Sequence, residues 1–145
     1  MLFRSICIVI DGKWAAWSPT SYDSWAPGNE RTIGWAGIVA LEFVCLCLKE
    51  FKISDATVVI HSNNTGIIDY LRRGSSDRFI NLELRCLASV CMASNFELLP
   101  QYVDRDNNLA SPKRLASGPQ TPLDVLLEIP QHLGKFLARK RSIPE

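Results

Sequence analysis

An excess of charge of either sign is the first thing missing: sixteen Lys and Arg stand against fifteen Asp and Glu, for a formal net charge of +1. No global field draws the chain to nucleic acid or to an anionic membrane, so any such contact needs a local patch. Long apolar runs are missing too. Ser5 to Ile10 is apolar but too short for the core of a secretion signal, Asp11 interrupts it, and no run approaches membrane-spanning length. The expectation is a cytoplasmic or nuclear protein with no membrane partner. Histidine is scarce, at two residues, and the five cysteines include no Cys-x-x-Cys pair, so zinc-finger spacing is absent. Cys45 and Cys47, embedded in the apolar stretch Phe43 to Leu48, read as reduced core residues. Internal repeats and low-complexity tracts are lacking as well.

What is present is apolar content of 47% in 145 residues, enough for one domain with a sizeable core. Ile6 to Ile10 and Lys13 to Trp17 flank Asp11-Gly12, the strongest short-range hairpin signal. Ser18 to Thr32, with its prolines and Trp25, reads as a loop. Ile33 to Phe51 is apolar almost all round, as in a helix buried on more than one face. Thr57 to His61 reads as a short buried strand, and Ser62 to Gly66 as the turn capping a helix to Arg73. Asp77 is placed to cap a further helix ending near Asn95. Phe96 to Val103 has strand character, Asp104 to Pro119 reads as a loop, and the tail from Pro122 as one or two short helices. Residues 1–118 form the domain in this reading, and 119–145 a tail packing on it. The class is α/β, a mixed sheet flanked by helices.

The local words in this order resemble the ribonuclease H domain that follows reverse transcriptase in polyproteins of fungal, basidiomycete-type retroelements, over nearly the whole chain. Ile8 to Trp17 is similar to that family's second-strand hairpin, and Arg31 to Glu42 to its first helix. His61-Ser62-Asn63-Asn64-Thr65-Gly66 is similar to its Ser-Asp-Asn word, and Asn108-Leu109-Ala110-Ser111 to its closing Asn-Pro-Ala-Asp word. The resemblance implies a ribonuclease H-like fold with its first, central strand missing or replaced. It implies two-metal hydrolysis of RNA in a hybrid, for which clustered carboxylates hold the ions. Carried across, the family's helix glutamate falls on Gly37, the Ser-Asp-Asn aspartate on Asn63 and the final aspartate on Ser111. No cofactor or metal site is then expected, because magnesium needs those hard, charged ligands.

The expectation is therefore a non-catalytic, retroelement-derived module that binds protein or nucleic acid. The alternative is a magnesium- or manganese-dependent hybrid nuclease with a rearranged set of Asp11, Glu42 and Asp106, Asp104 being a substitute for the last. The bland reading of Asp11 is the first position of a two-residue turn, and that of Glu42 a residue near the exposed side of its helix. For nucleic acid the candidates are Arg72, Arg73, Arg78, Lys113 and Arg114, each equally readable as a solvated charge. Arg139-Lys140-Arg141 reads as a soluble tail or a weak nuclear address. For protein, Trp14, Trp17 and Trp25 are anchors if a missing strand exposes them, and core residues otherwise. That missing strand also makes a homodimer, or strand addition from a partner, an expectation. His61 reads as a satisfied, partly buried side chain, and neither it nor His132 has a recognisable nucleophile nearby.

Overall fold

The computed structural model describes residues 5–20, 33–117, 121–124, 127–134 and 136–140. Strand β1 (Ile6–Ile10) and strand β2 (Lys13–Pro19) form the antiparallel hairpin, in register from Ile6 opposite Trp17 to Ile10 opposite Lys13. Asp11 (φ 51°) and Gly12 (φ 74°) form the two-residue turn, both left-handed as the twist of a tight hairpin requires. Helix α1 (Ile33–Glu50) follows, then strand β3 (Ala56–Ser62), helix α2 (Thr65–Arg73), helix α3 (Arg78–Ser94) and strand β4 (Phe96–Tyr102). Each of the latter two helices begins where a side chain can take up an orphan amide. Asn64 Oδ1 accepts from Gly66 N at 2.9 Å and Asp77 Oδ1 from Ile80 N at 3.0 Å, caps worth about 1 kcal/mol each. Asn95, left-handed at φ 53°, closes α3.

The strands make two separate ladders, both beside α1. In one, β2 is central. Its far edge pairs at one end with strand β5 (Thr121–Pro122) and at the other with strand β6 (Leu137–Lys140). In the other, β3 and β4 run parallel from Ala56 opposite Phe96 to Ser62 opposite Tyr102. Ala56 N donates to Asn95 O and Val103 N to Ser62 O. With that alternation the missing N–H of Pro100 falls on the outer edge of β4, where it breaks no ladder bond.

Ile6 and Ile8 of β1 and Trp17 of β2 join α1, Ile80 and Leu87 of α3, and Leu123, Leu133 and Leu137 in the main core. Trp17 stacks on Phe43 with centroids 4.0 Å apart. The opposite face of the hairpin holds a smaller cluster of Trp14 and Ala16 under Leu115 of helix α4 (Pro112–Ser117), with Cys7 and Val9 against it.

Several expectations change. The stretch after Asp104 contains a 3-10 turn (Arg105–Asn107) and α4 rather than loop alone. The tail adds two strands to the sheet instead of helices, because the far edge of β2 offers backbone groups that local preference ignores. Arg139, read as part of a solvated tail, donates from Nη2 to Leu123 O at 2.6 Å and lies 5.9 Å from the Trp17 ring. Trp14 and Trp17 are core, not exposed anchors. Only Ile60 of β3 is buried, and Val59 is half exposed, because nothing described covers that face. No described helix is long and apolar enough to cross a membrane. Trp25 and Arg141 lie outside the described residues.

Candidate functional site

A cleft of about 450 Å³ opens between the two ladders. Ser5 to Val9 form one wall, Val59 to Asn64 the other, Gly37, Ala40 and Val44 of α1 line it as well, and Arg105 with Asn107 to Ser111 closes an end. Among the described residues, each wall is a strand paired on one side only. In the hairpin, Ile6, Ile8 and Ile10 exchange bonds with β2, so the backbone N–H and C=O of Cys7 and Val9 point away from it. In the parallel pair, Ala56, Val58, Ile60 and Ser62 serve β4, so those of Val59 and His61 point away from it. The cleft is therefore bounded by two free ladder edges.

The three positions that the resemblance singled out, Gly37, Asn63 and Ser111, all line this cleft. None of the described residues around it is Asp or Glu. Asn63 Oδ1 accepts from Asn108 Nδ2 at 2.6 Å, and Ser111 Oγ accepts from Arg114 N at 3.4 Å. A Cβ on Gly37 would lie 2.3 Å from Ile67 Cδ1, so the buried Ile67 occupies the space a longer side chain would need there. His61 and Arg105 supply the cleft's basic groups, both exposed. His61 is thus not the partly buried strand residue expected, since its strand face is uncovered.

The rival carboxylates do not meet. Asp11 is exposed in the hairpin turn and Asp106 is exposed in the 3-10 turn. Glu42 is neither near the exposed side of its helix nor in the cleft. Five residues on from Gly37, it is turned about 140° round the helix, and it is 2% exposed against α3. There Glu42 Oε1 lies 3.1 Å from His132 Nε2, and Glu83 Oε2 of α3 lies 3.3 Å from the same nitrogen. Cys86 shares the group: one ligand atom each from Glu83, Cys86 and His132 lie within 4.8 Å of one another. Burial, and then the Glu42 carboxylate beside it, push the Glu83 carboxyl up to about 10. Burial raises the Cys86 thiol as well, with Glu83 adding to it. Sequence reasoning missed this cluster, having found no nucleophile near His132. The one local signal was Glu83-x-x-Cys86, a spacing that shares a helix face.

The basic candidates are dispersed. Arg72 and Arg73 end α2 and Arg78 begins α3 over the Phe79 ring, all exposed, while Arg114 is exposed on α4. Lys113 falls in α4 with its side chain outside the described part. Elsewhere, Cys45 and Cys91 place their sulfurs 3.9 Å apart between α1 and α3. The chain is a mixed α/β protein, and it matches no protein-family model, no curated protein and no solved structure.

Proposed function

We propose that this chain is a ribonuclease H-like domain, degenerate at its carboxylate positions, that works as a protein-interaction module by taking an extended strand of a partner polypeptide into the cleft between β1 and β3. The observation that carries this reading is the pair of ladder edges on the two walls of one cleft that no described strand pairs. Strand addition supplies main-chain bonds to both at once, where an ordinary edge offers one. Convergence of Gly37, Asn63 and Ser111 on that cleft supports the ancestry, because residues scattered over seventy positions in sequence meet where the resemblance requires them to. A second copy of this chain is one source of such a strand. The nuclease alternative has no observation in its favour, since Asp11, Glu42 and Asp106 lie apart.

The test is selection from a peptide array, followed by amide hydrogen exchange on the bound protein. Binders are expected to be extended, with apolar residues at every second position, and to slow exchange at Cys7, Val9, Val59 and His61. Val59→Pro removes one cleft-facing N–H without touching the β4 ladder and is expected to weaken binding about tenfold, near the 1.4 kcal/mol of one hydrogen bond. Peptides that bind without protecting these amides would refute the proposal. So would magnesium-dependent cleavage of an RNA–DNA hybrid that is abolished by Asp11→Asn.

A further inference from the structure

The Glu42, Glu83, Cys86 and His132 cluster is a second site, separate from the cleft and independent of its function. Three segments distant in sequence build it: α1 brings Glu42, one face of α3 brings Glu83 and Cys86, and the turn after Pro130 brings His132. That turn is fixed, since Leu133 N and Gly134 N both donate to Pro130 O and Leu133 is buried in the core.

His132 Nε2 carries at most one proton, yet two carboxylate oxygens face it at 3.1 and 3.3 Å. Glu83 Oε1, fully buried, meets no ordinary hydrogen-bond donor among the described residues. An unpartnered oxygen in such a place costs on the order of 1–3 kcal/mol. A cation among Glu83, Cys86 and His132 neutralises the buried carboxyl group that faces it. Zinc sits about 2.0–2.1 Å from nitrogen and oxygen ligands, which puts neighbouring ligand atoms of a tetrahedron about 3.3 Å apart. The His132 contact with Glu83 already has that spacing. The mixture of imidazole, thiol and carboxylate fits zinc and not magnesium or calcium, which take oxygen alone. The His132 side chain is 38% exposed, so an ion has a way in from solvent.

We propose that Glu83, Cys86 and His132 bind one zinc ion that ties α3 and the C-terminal segment together, with Glu42 beside His132 rather than among the ligands.

The metal alone is the probe. Chelator-treated full-length chain is expected to take up one equivalent of zinc in competition with a chromophoric chelator. Its melting temperature should rise as it does so. Cobalt in place of zinc should show the intense visible bands of a tetrahedral site and a thiolate-to-metal charge-transfer band. Cys86→Ser should remove the charge-transfer band. Cys86→Ser, His132→Ala and Glu83→Gln should each weaken zinc by about tenfold or more, circular dichroism confirming that they fold. Cys91→Ser, which alters the other thiol pair, should leave zinc binding unchanged. Absence of uptake by the native chain overturns the proposal. So does uptake that the three ligand variants leave within twofold, or that Cys91→Ser removes.

Discussion

Replacing the buried Glu83 by glutamine is expected to stabilise the metal-free protein at alkaline pH, although glutamate is the residue the fold was built around. Burial and the neighbouring Glu42 push the Glu83 carboxyl up to about 10 in the folded chain, whereas in an unfolded chain it titrates near about 4.3. Between these values the folded state holds a proton that the unfolded state has released. The stability contribution is therefore complete below about pH 4 and declines as pH rises toward the folded value. Each pH unit in the window is worth at most about 1.4 kcal/mol, so the ceiling between pH 5 and 8 is about 4 kcal/mol. Relaxation around the partly exposed His132 brings the expected loss to about 1–3 kcal/mol, still a large part of a typical domain's stability. Glutamine imitates the protonated carboxyl and does not titrate. Glu42, Cys86 and His132 face position 83 in both proteins, so the difference between them isolates this one group. Urea unfolding of chelator-treated samples, followed by tryptophan fluorescence at several pH values, measures it. The two proteins should be equally stable near pH 5, and Glu83→Gln more stable by about 1–3 kcal/mol at pH 8. Parallel pH profiles would refute the reasoning.

Two further outcomes follow from the geometry. Gly37→Ala gains about 1 kcal/mol in helix propensity but drives its Cβ into Ile67, so a net loss of about 1–2 kcal/mol is expected; Ile67→Val, which removes Cδ1, should recover most of it in a double-mutant cycle, and additive effects would show that the contact is soft. Among the thiols, Cys91 is lowered by the hydrogen bond from Cys45, while burial raises Cys47 to about 11; iodoacetamide at pH 8 should label Cys91 on the order of tenfold faster than Cys47, read by mass spectrometry, and equal rates would contradict the assignment.

The hairpin, both capped helices and the long buried helix were legible because each is written in neighbouring residues. Asp11-Gly12 fits a turn only in left-handed backbone, and Asn64 and Asp77 reach amides two and three residues on. The tail was not legible. Leu137-Ala138-Arg139-Lys140 has good helix formers and becomes β6 only because the Ser18 end of β2 lies unpaired beside it. The openness of β3 was equally hidden, since an apolar run cannot say whether both of its faces are covered. At the cleft, the alignment of words brought out Gly37, Asn63 and Ser111, but not the two free edges, which depend on a strand pairing that no local pattern encodes. The cluster was the least legible, because Glu42 and His132 are ninety residues apart and meet only through the packing of α1 on α3.

The position of Glu42 also bears on the proposed loss of nuclease chemistry. A two-metal site needs carboxylates on a common centre, and α1 offers its cleft-facing position to Gly37, where Ile67 already fills the space. Glu42 is committed on another side of that helix to Glu83 and His132, inside the contact with α3. Turning it into the cleft would require rotating α1 through a core that includes the Trp17 and Phe43 stack. The cleft is left with amides, three serine hydroxyls, the Cys7 thiol, His61, Arg105 and two rows of backbone groups. These groups form hydrogen bonds readily, as the proposed strand addition requires.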